Sequence, residues 1–302
     1  MQARPSWVDD PHPSLDDQRR GTRGLRKALG LLGRLVPGGE RTRTLLWRGL
    51  VAKPRKLLRR AATGFYRIDH VYEVLPEFAQ EVEGPLSVLE FGTAQGYASA
   101  KILSAIRHLG LEDRITFHGF DSFVGLPEAA NPEDRGLRGN DWIKGSYRAS
   151  LARIEAYCAE KGYRNARFHA GYFENTLTPE LIEELRAAPP VLVWLDCDLY
   201  SSTRSVLERL APILPTGCVL YFDDIDFNHR SRFTGQARLI HEVNHGLLGE
   251  DTELVLDREL SWDSDRIHRW VRVGERAVTY RPRFVRTVPP EARPIGDGSP
   301  FP

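Results

Sequence analysis

The chain has 302 residues, of which 41% are apolar and 27% charged, and its formal net charge is +1. That is enough apolar material for one large α/β domain with a substantial core. Cys158, Cys197 and Cys218 form no pairable spacing, which argues against a disulfide framework, and no apolar run approaches the ~20 residues of a spanning helix. With Asp9 and Asp10 early in the chain and no signal-peptide pattern, the expectation is a soluble, cytoplasmic protein.

The near-zero net charge conceals an asymmetry. Residues 1–60 carry 15 Lys/Arg against 5 Asp/Glu, a local net of +10, and contain the weakly amphipathic stretch LRKALGLLGRLV. This segment reads as a basic N-terminal extension, partly helical or disordered, that solubilises the chain or supports a homo-oligomer; a nucleic-acid contact is the less favoured use of such an arm. Residues 61–282 read as one domain and 283–302 as an irregular Pro-rich tail.

Within the domain, β-rich runs alternate with helical patterns, which predicts a doubly wound α/β fold around a mostly parallel sheet. The strand LSVLEF (86–91) leads through a glycine turn into the helix YASAKILSAIRHLG. ITFHGFD (115–121) follows, then a loop from Ser122 to about Tyr147, the helix SLARIEAYCAEKG and the strand NARFHAG (165–171). After the helix TPELIEELRAA comes VLVWLDCD (191–198), whose continuously apolar opening suits a strand buried on both faces. Ser201, Ser202 or Thr203 can cap the next helix, where Val206, Leu207, Leu210 and Ile213 repeat at helical spacing. Gly217 turns the chain into CVLYFDD (218–224), a helix spans about 236–247, and the runs TELVLD and IHRWVRV can close the sheet as a hairpin.

Ligands of a doubly wound sheet bind beyond the carboxyl ends of its strands, so the residues there carry the functional reading. Glu90, Gly92 and Gly96 give E-x-G-x-x-x-G after the first strand, where glycines let the backbone approach a ligand at a helix N-terminus. Asp121 ends the second strand and can accept hydrogen bonds from both hydroxyls of a ribose, although a lone Asp there also serves as a turn residue. Asp196 and Asp198 end one later strand, Asp223 and Asp224 the next. Four carboxylates at one sheet edge repel one another unless compensated, and a hard divalent cation such as Mg²⁺, which prefers oxygen ligands, resolves the conflict. His241 and His245, four apart on a predicted helix, and His229 are competitors for metal or proton work, but nothing nearby completes a zinc set.

The ordered run FDSFVGLPE (120–128), DWIKGSY (141–147), AGYFENTL (170–177), LDCDLYSST (195–203) and FDDI (222–225) resembles the macrocin O-methyltransferase family over roughly residues 85–245. The resemblance implies a seven-stranded, Rossmann-like class I methyltransferase fold, S-adenosylmethionine as methyl donor, Mg²⁺ as metal and a small-molecule hydroxyl acceptor, a sugar above all. It assigns Asp196, Asp223 and Asp224 as metal ligands and Asp198 as general base. Glu90, Gly92, Thr93 and Gly96 fall in the cofactor loop, Asp121 and Ser122 at the ribose end, with Asp196 also beside the cofactor. From the residues alone, Tyr172 and Phe173 can stack near the adenine and Trp142 can fold over the cofactor, with ordinary core or loop packing the equally good reading of each. Cys197 and Cys218 stand where family members usually carry glycine. Two rivals come from other classes. A metal-dependent glycosyltransferase would use an Asp-x-Asp pair on a nucleotide-sugar without needing the upstream loop and Asp121, and a non-catalytic cofactor-binding scaffold would not need the intact carboxylate cluster.

Overall fold

A computed structural model of the chain describes residues 68, 70–135, 142–226, 230–261 and 265–275. The basic extension 1–60, the Pro-rich tail and His229 lie outside the described residues.

Seven strands form one sheet: β1 Leu86–Phe91, β2 Ile115–Asp121, β3 Ala166–Ala170, β4 Pro190–Leu195, β5 Val219–Phe222, β6 Thr252–Leu256 and β7 Ile267–Arg272. Their order is β3-β2-β1-β4-β5-β7-β6, with β1 to β5 parallel and β7 antiparallel to both neighbours, so the expected doubly wound fold and closing hairpin are both present. The helices are α1 Val71–Glu81, α2 Tyr97–His108, α3 Leu151–Lys161, α4 Phe173–Thr176, α5 Pro179–Ala187, α6 Tyr200–Leu210 and α7 Gly235–Val243.

Burial explains the layering. Every residue of β1, β4 and β5 is buried, as parallel strands covered on both faces require. On one face Val88, Leu192, Trp194, Val219 and Tyr221 pack under α1, α2 and α3. On the other, Leu89, Phe91, Val193, Leu195, Leu220 and Phe222 pack under α4 to α7. Cys158, Cys197 and Cys218 are free and buried, and Cys197 and Cys218 serve as the small hydrophobes their strand-like context suggested.

Helix α6 starts differently from expectation. Leu199 occupies the N-cap and Ser201, Ser202 and Thr203 lie inside the helix. The orphan N–H of Ser201 is instead taken by Oδ1 of Asp134 at 2.8 Å, a buried side chain arriving from the long loop, while Thr203 donates back to the Leu199 carbonyl. Helix α5 does use its own Thr178, which accepts from Leu181. From β1 the chain winds outward through β2 to β3 and then returns to β4 beside β1. This reversal opens a crevice at the carboxyl ends of β1 and β4, where a doubly wound fold binds its ligands.

Candidate active site

The glycine turn after β1 is shaped by the neighbouring strand. Gly92 has φ +94°, and a Cβ there would lie 1.6 Å from the backbone oxygen of Asp196. Gly92 and Thr93 both donate to the Phe120 carbonyl, and Asp196 donates to that of Phe91, so the ends of β1, β2 and β4 are stitched together. Gly96, at φ +79°, forms the left-handed start of α2. Thr93 is buried, and its hydroxyl is directed at Glu90 (3.4 Å).

Glu90 is completely buried. Ser99 and Thr93 donate to its Oε2, while Oε1 has no hydrogen-bond partner among the described residues. Burial, with a smaller push from the Asp121 charge, raises its pKa to about 8 despite those hydrogen bonds. Asp121 anchors the turn beyond β2: Oδ2 accepts from Ala94 at 2.8 Å and Oδ1 from Phe123 at 2.6 Å. Ser122 closes the same turn by donating to the Gly125 carbonyl. The Gly171 amide donates to the Asp121 carbonyl, which sets the exposed Tyr172 just beyond the end of β3, the strand paired with that of Asp121. These residues fit a nucleoside cofactor: a positive-φ loop, a carboxylate at the second strand end and an orphaned buried acceptor that a donor or cation would complete.

Across the crevice, one carboxylate oxygen each from Asp196, Asp223 and Asp224 lie within 4.8 Å of one another, and this is the metal-competent group of three found among the described residues. Asp198, at φ +61°, turns its backbone N–H onto Oδ2 of Asp224 at 3.0 Å. Gln236 from α7 accepts from the Asp224 amide and donates to the Leu195 carbonyl, fixing the end of β5 against β4. Burial, then repulsion from Asp223 and other carboxylates, holds the Asp196 carboxyl well above its usual range. Burial followed by Asp224 and Asp223 pushes Asp198 up to about 8, and burial followed by Asp223 pushes Asp224 up to about 7. The guanidinium of Arg266 is an immediate counter-ion, on Asp223 at 2.6 Å. Four carboxylates with oxygen-only donors and one facing guanidinium fit a hard divalent cation.

Arg266, Tyr221, Gln236 and Asp134 are the residues that sequence reading did not reach. The rings of His241, on α7, and His245, just past its end, lie tilted with centroids 4.1 Å apart, and they belong to no three-residue ligand group among the described residues. Trp142 sits beside Tyr147, with ring centroids 6.4 Å apart.

The family model for macrocin O-methyltransferases matches residues 51–256, reaching further toward both ends than the motif run itself. The 8-demethyl-8-(2,3-dimethoxy-alpha-L-rhamnosyl)-tetracenomycin-C 4'-O-methyltransferase of Streptomyces olivaceus is 30% identical over 167 residues, which span 53% of this chain and 60% of that protein. The crystal structure of CalS11, a calicheamicin methyltransferase, superposes with a TM-score of 0.50 at 18% identity, over 91% of this chain and 99% of that one, and so shares the fold. With more than half of its length matched by that family model, this chain belongs to the macrocin O-methyltransferase family.

Proposed function

We propose that the chain is an S-adenosylmethionine- and Mg²⁺-dependent O-methyltransferase acting on a sugar hydroxyl of a glycosylated small molecule. The observation supporting this is the convergence on one crevice of the Glu90–Gly96 turn with Asp121 and of the carboxylates Asp196, Asp198, Asp223 and Asp224. A relative named for 4'-O-methylation of a rhamnosyl tetracenomycin supports a sugar hydroxyl as acceptor. The three free, buried thiols support a reducing, cytoplasmic setting.

When bound, the sulfonium cofactor supplies the methyl group and the divalent ion lowers the pKa of the acceptor hydroxyl. Glu90, Asp121 and the positive-φ turn would hold the cofactor on the β1–β2 side of the crevice. Asp196, Asp223 and Asp224 would hold the ion on the β4–β5 side, across the crevice from the cofactor residues, where it would orient the acceptor hydroxyl. Asp198 accepts the hydroxyl proton. Burial, then the charges of Asp224 and Asp223, holds its pKa up at about 8, and a bound cation that offsets those charges would favour the ionised, proton-accepting form.

The experiment is transfer of radiolabelled methyl from S-adenosylmethionine to a panel of glycosides, with MgCl₂ or with EDTA. Methylation of a sugar hydroxyl that EDTA abolishes and Mg²⁺ restores is the expected result. Transfer that is indifferent to EDTA would remove the metal from the reading, and no transfer to any glycoside would remove the sugar acceptor.

A further inference from the structure

Asp223 presents its two carboxylate oxygens to different surroundings. Oδ1 accepts from the Tyr221 hydroxyl at 2.8 Å and from Arg266 Nη1 at 2.6 Å, whereas Oδ2 accepts no hydrogen bond from a described residue. Both donors are themselves fixed. The Tyr221 ring stacks on Trp194 at 3.9 Å and on His70 at 5.0 Å inside the core, so its hydroxyl has little freedom to leave Asp223. Arg266 is tied at its other nitrogen to Asp226 (3.1 Å), which Arg230 holds at 2.5 Å. Asp224 is divided in the same way, with Oδ2 committed to the Asp198 amide. Two of the three carboxylates facing the site therefore each have one oxygen engaged by the protein.

This division matters because hard cations differ in what they ask of a carboxylate. Ca²⁺ takes six to eight oxygens in flexible geometry and readily uses both oxygens of a carboxylate, whereas Mg²⁺ demands six at short range and keeps water in several positions. We infer that Arg266 and Tyr221 are positioning residues that set the cation selectivity of this site: by occupying Oδ1 they confine Asp223 to one-oxygen coordination, which favours a small octahedral ion over Ca²⁺. The inference rests on the metal-dependent reading above. Arg266 also carries positive charge, so its removal strengthens attraction for every divalent cation alike. The ratio of affinities, rather than either affinity, carries the information.

The test is calorimetric titration of the full chain with MgCl₂ and separately with CaCl₂, for wild type, Tyr221→Phe, Arg266→Lys, Arg266→Gln and the double variant Tyr221→Phe/Arg266→Gln, each checked for a cooperative thermal melt. Freeing Oδ1 should shift the affinity ratio toward Ca²⁺ by about tenfold in the double variant. Tyr221→Phe, which keeps the ring stack and folds if only one donor is lost, should shift it in the same direction by less, and Arg266→Lys should stay near wild type. A ratio within twofold of wild type in folded Tyr221→Phe and Arg266→Gln, even if both affinities rise together, would overturn the inference and leave the metal-dependent reading standing. Absence of Mg²⁺ and Ca²⁺ binding in the wild type would overturn both.

Discussion

The backbone N–H of Asp198 donates to Oδ2 of Asp224 at 3.0 Å, so the proposed base and one proposed ligand are held together by main chain rather than by the base's own carboxylate. Asp198 reaches that position through a left-handed φ of +61°, a conformation worth about 1–3 kcal/mol of strain for a non-glycine residue. Its side chain is thereby left available for chemistry.

Replacing that side chain should separate catalysis from binding. Asn tolerates the left-handed conformation and keeps the amide that holds Asp224, so Asp198→Asn should lower kcat by about 10²- to 10⁴-fold, the usual worth of general-base help. Cofactor and Mg²⁺ affinities, read by calorimetry, should change little. An unchanged kcat would take the base role from Asp198.

The crevice should make the metal-free protein sensitive to alkali. The folded pKa of Glu90 is about 8 against an ordinary 4.5, and that of Asp198 is about 8 against 3.8. A carboxyl raised in the folded state contributes stability that is whole below its unfolded pKa and is lost as pH climbs through the folded value. Between pH 6 and 8.5 the Tm of the metal-free chain should therefore fall, Glu90→Gln should flatten that fall, and added Mg²⁺ should raise Tm more at pH 8.5 than at pH 6. A Tm that rises with pH over this range and ignores Glu90→Gln would contradict the assignment.

Gly92 tests whether the turn is a close approach of two strands. Its φ of +94° and the 1.6 Å separation of a built Cβ from the Asp196 oxygen leave no room for a methyl group. Gly92→Ala should cost about 3 kcal/mol or more, the sum of a strained conformation and displaced backbone. Urea unfolding measures the loss; a change under about 1 kcal/mol would show that β1 and β4 can separate without penalty.

Much of this was legible in the sequence because it is local. The apolar runs of β2, β4 and β5 and the polar residues at their ends lie in single stretches, so Asp121, Asp196, Asp198, Asp223 and Asp224 could be named from pattern alone. What escaped is what the fold brings from afar. Arg266 reaches Asp223 across 43 residues and Asp134 caps α6 across 67, and neither sits in a motif. The Ser201–Thr203 run looked like a cap because those residue types cap helices, yet the distant Asp134 satisfied the helix end and left them inside it. Tyr221 lay within a strand that was read correctly; strand alternation placed its ring in the core, but the bond from its hydroxyl to Asp223 needed the folded backbone.

The measurement that tests the account most directly is calorimetric titration of the full chain with S-adenosylmethionine and S-adenosylhomocysteine, with and without Mg²⁺, for wild type and Asp121→Ala. Both ligands should bind the wild type. Loss of the charged hydrogen bonds to a ribose, worth about 1.5–3 kcal/mol, should weaken binding to Asp121→Ala by roughly 10- to 100-fold. No binding to wild type under any of these conditions would contradict the methyltransferase reading.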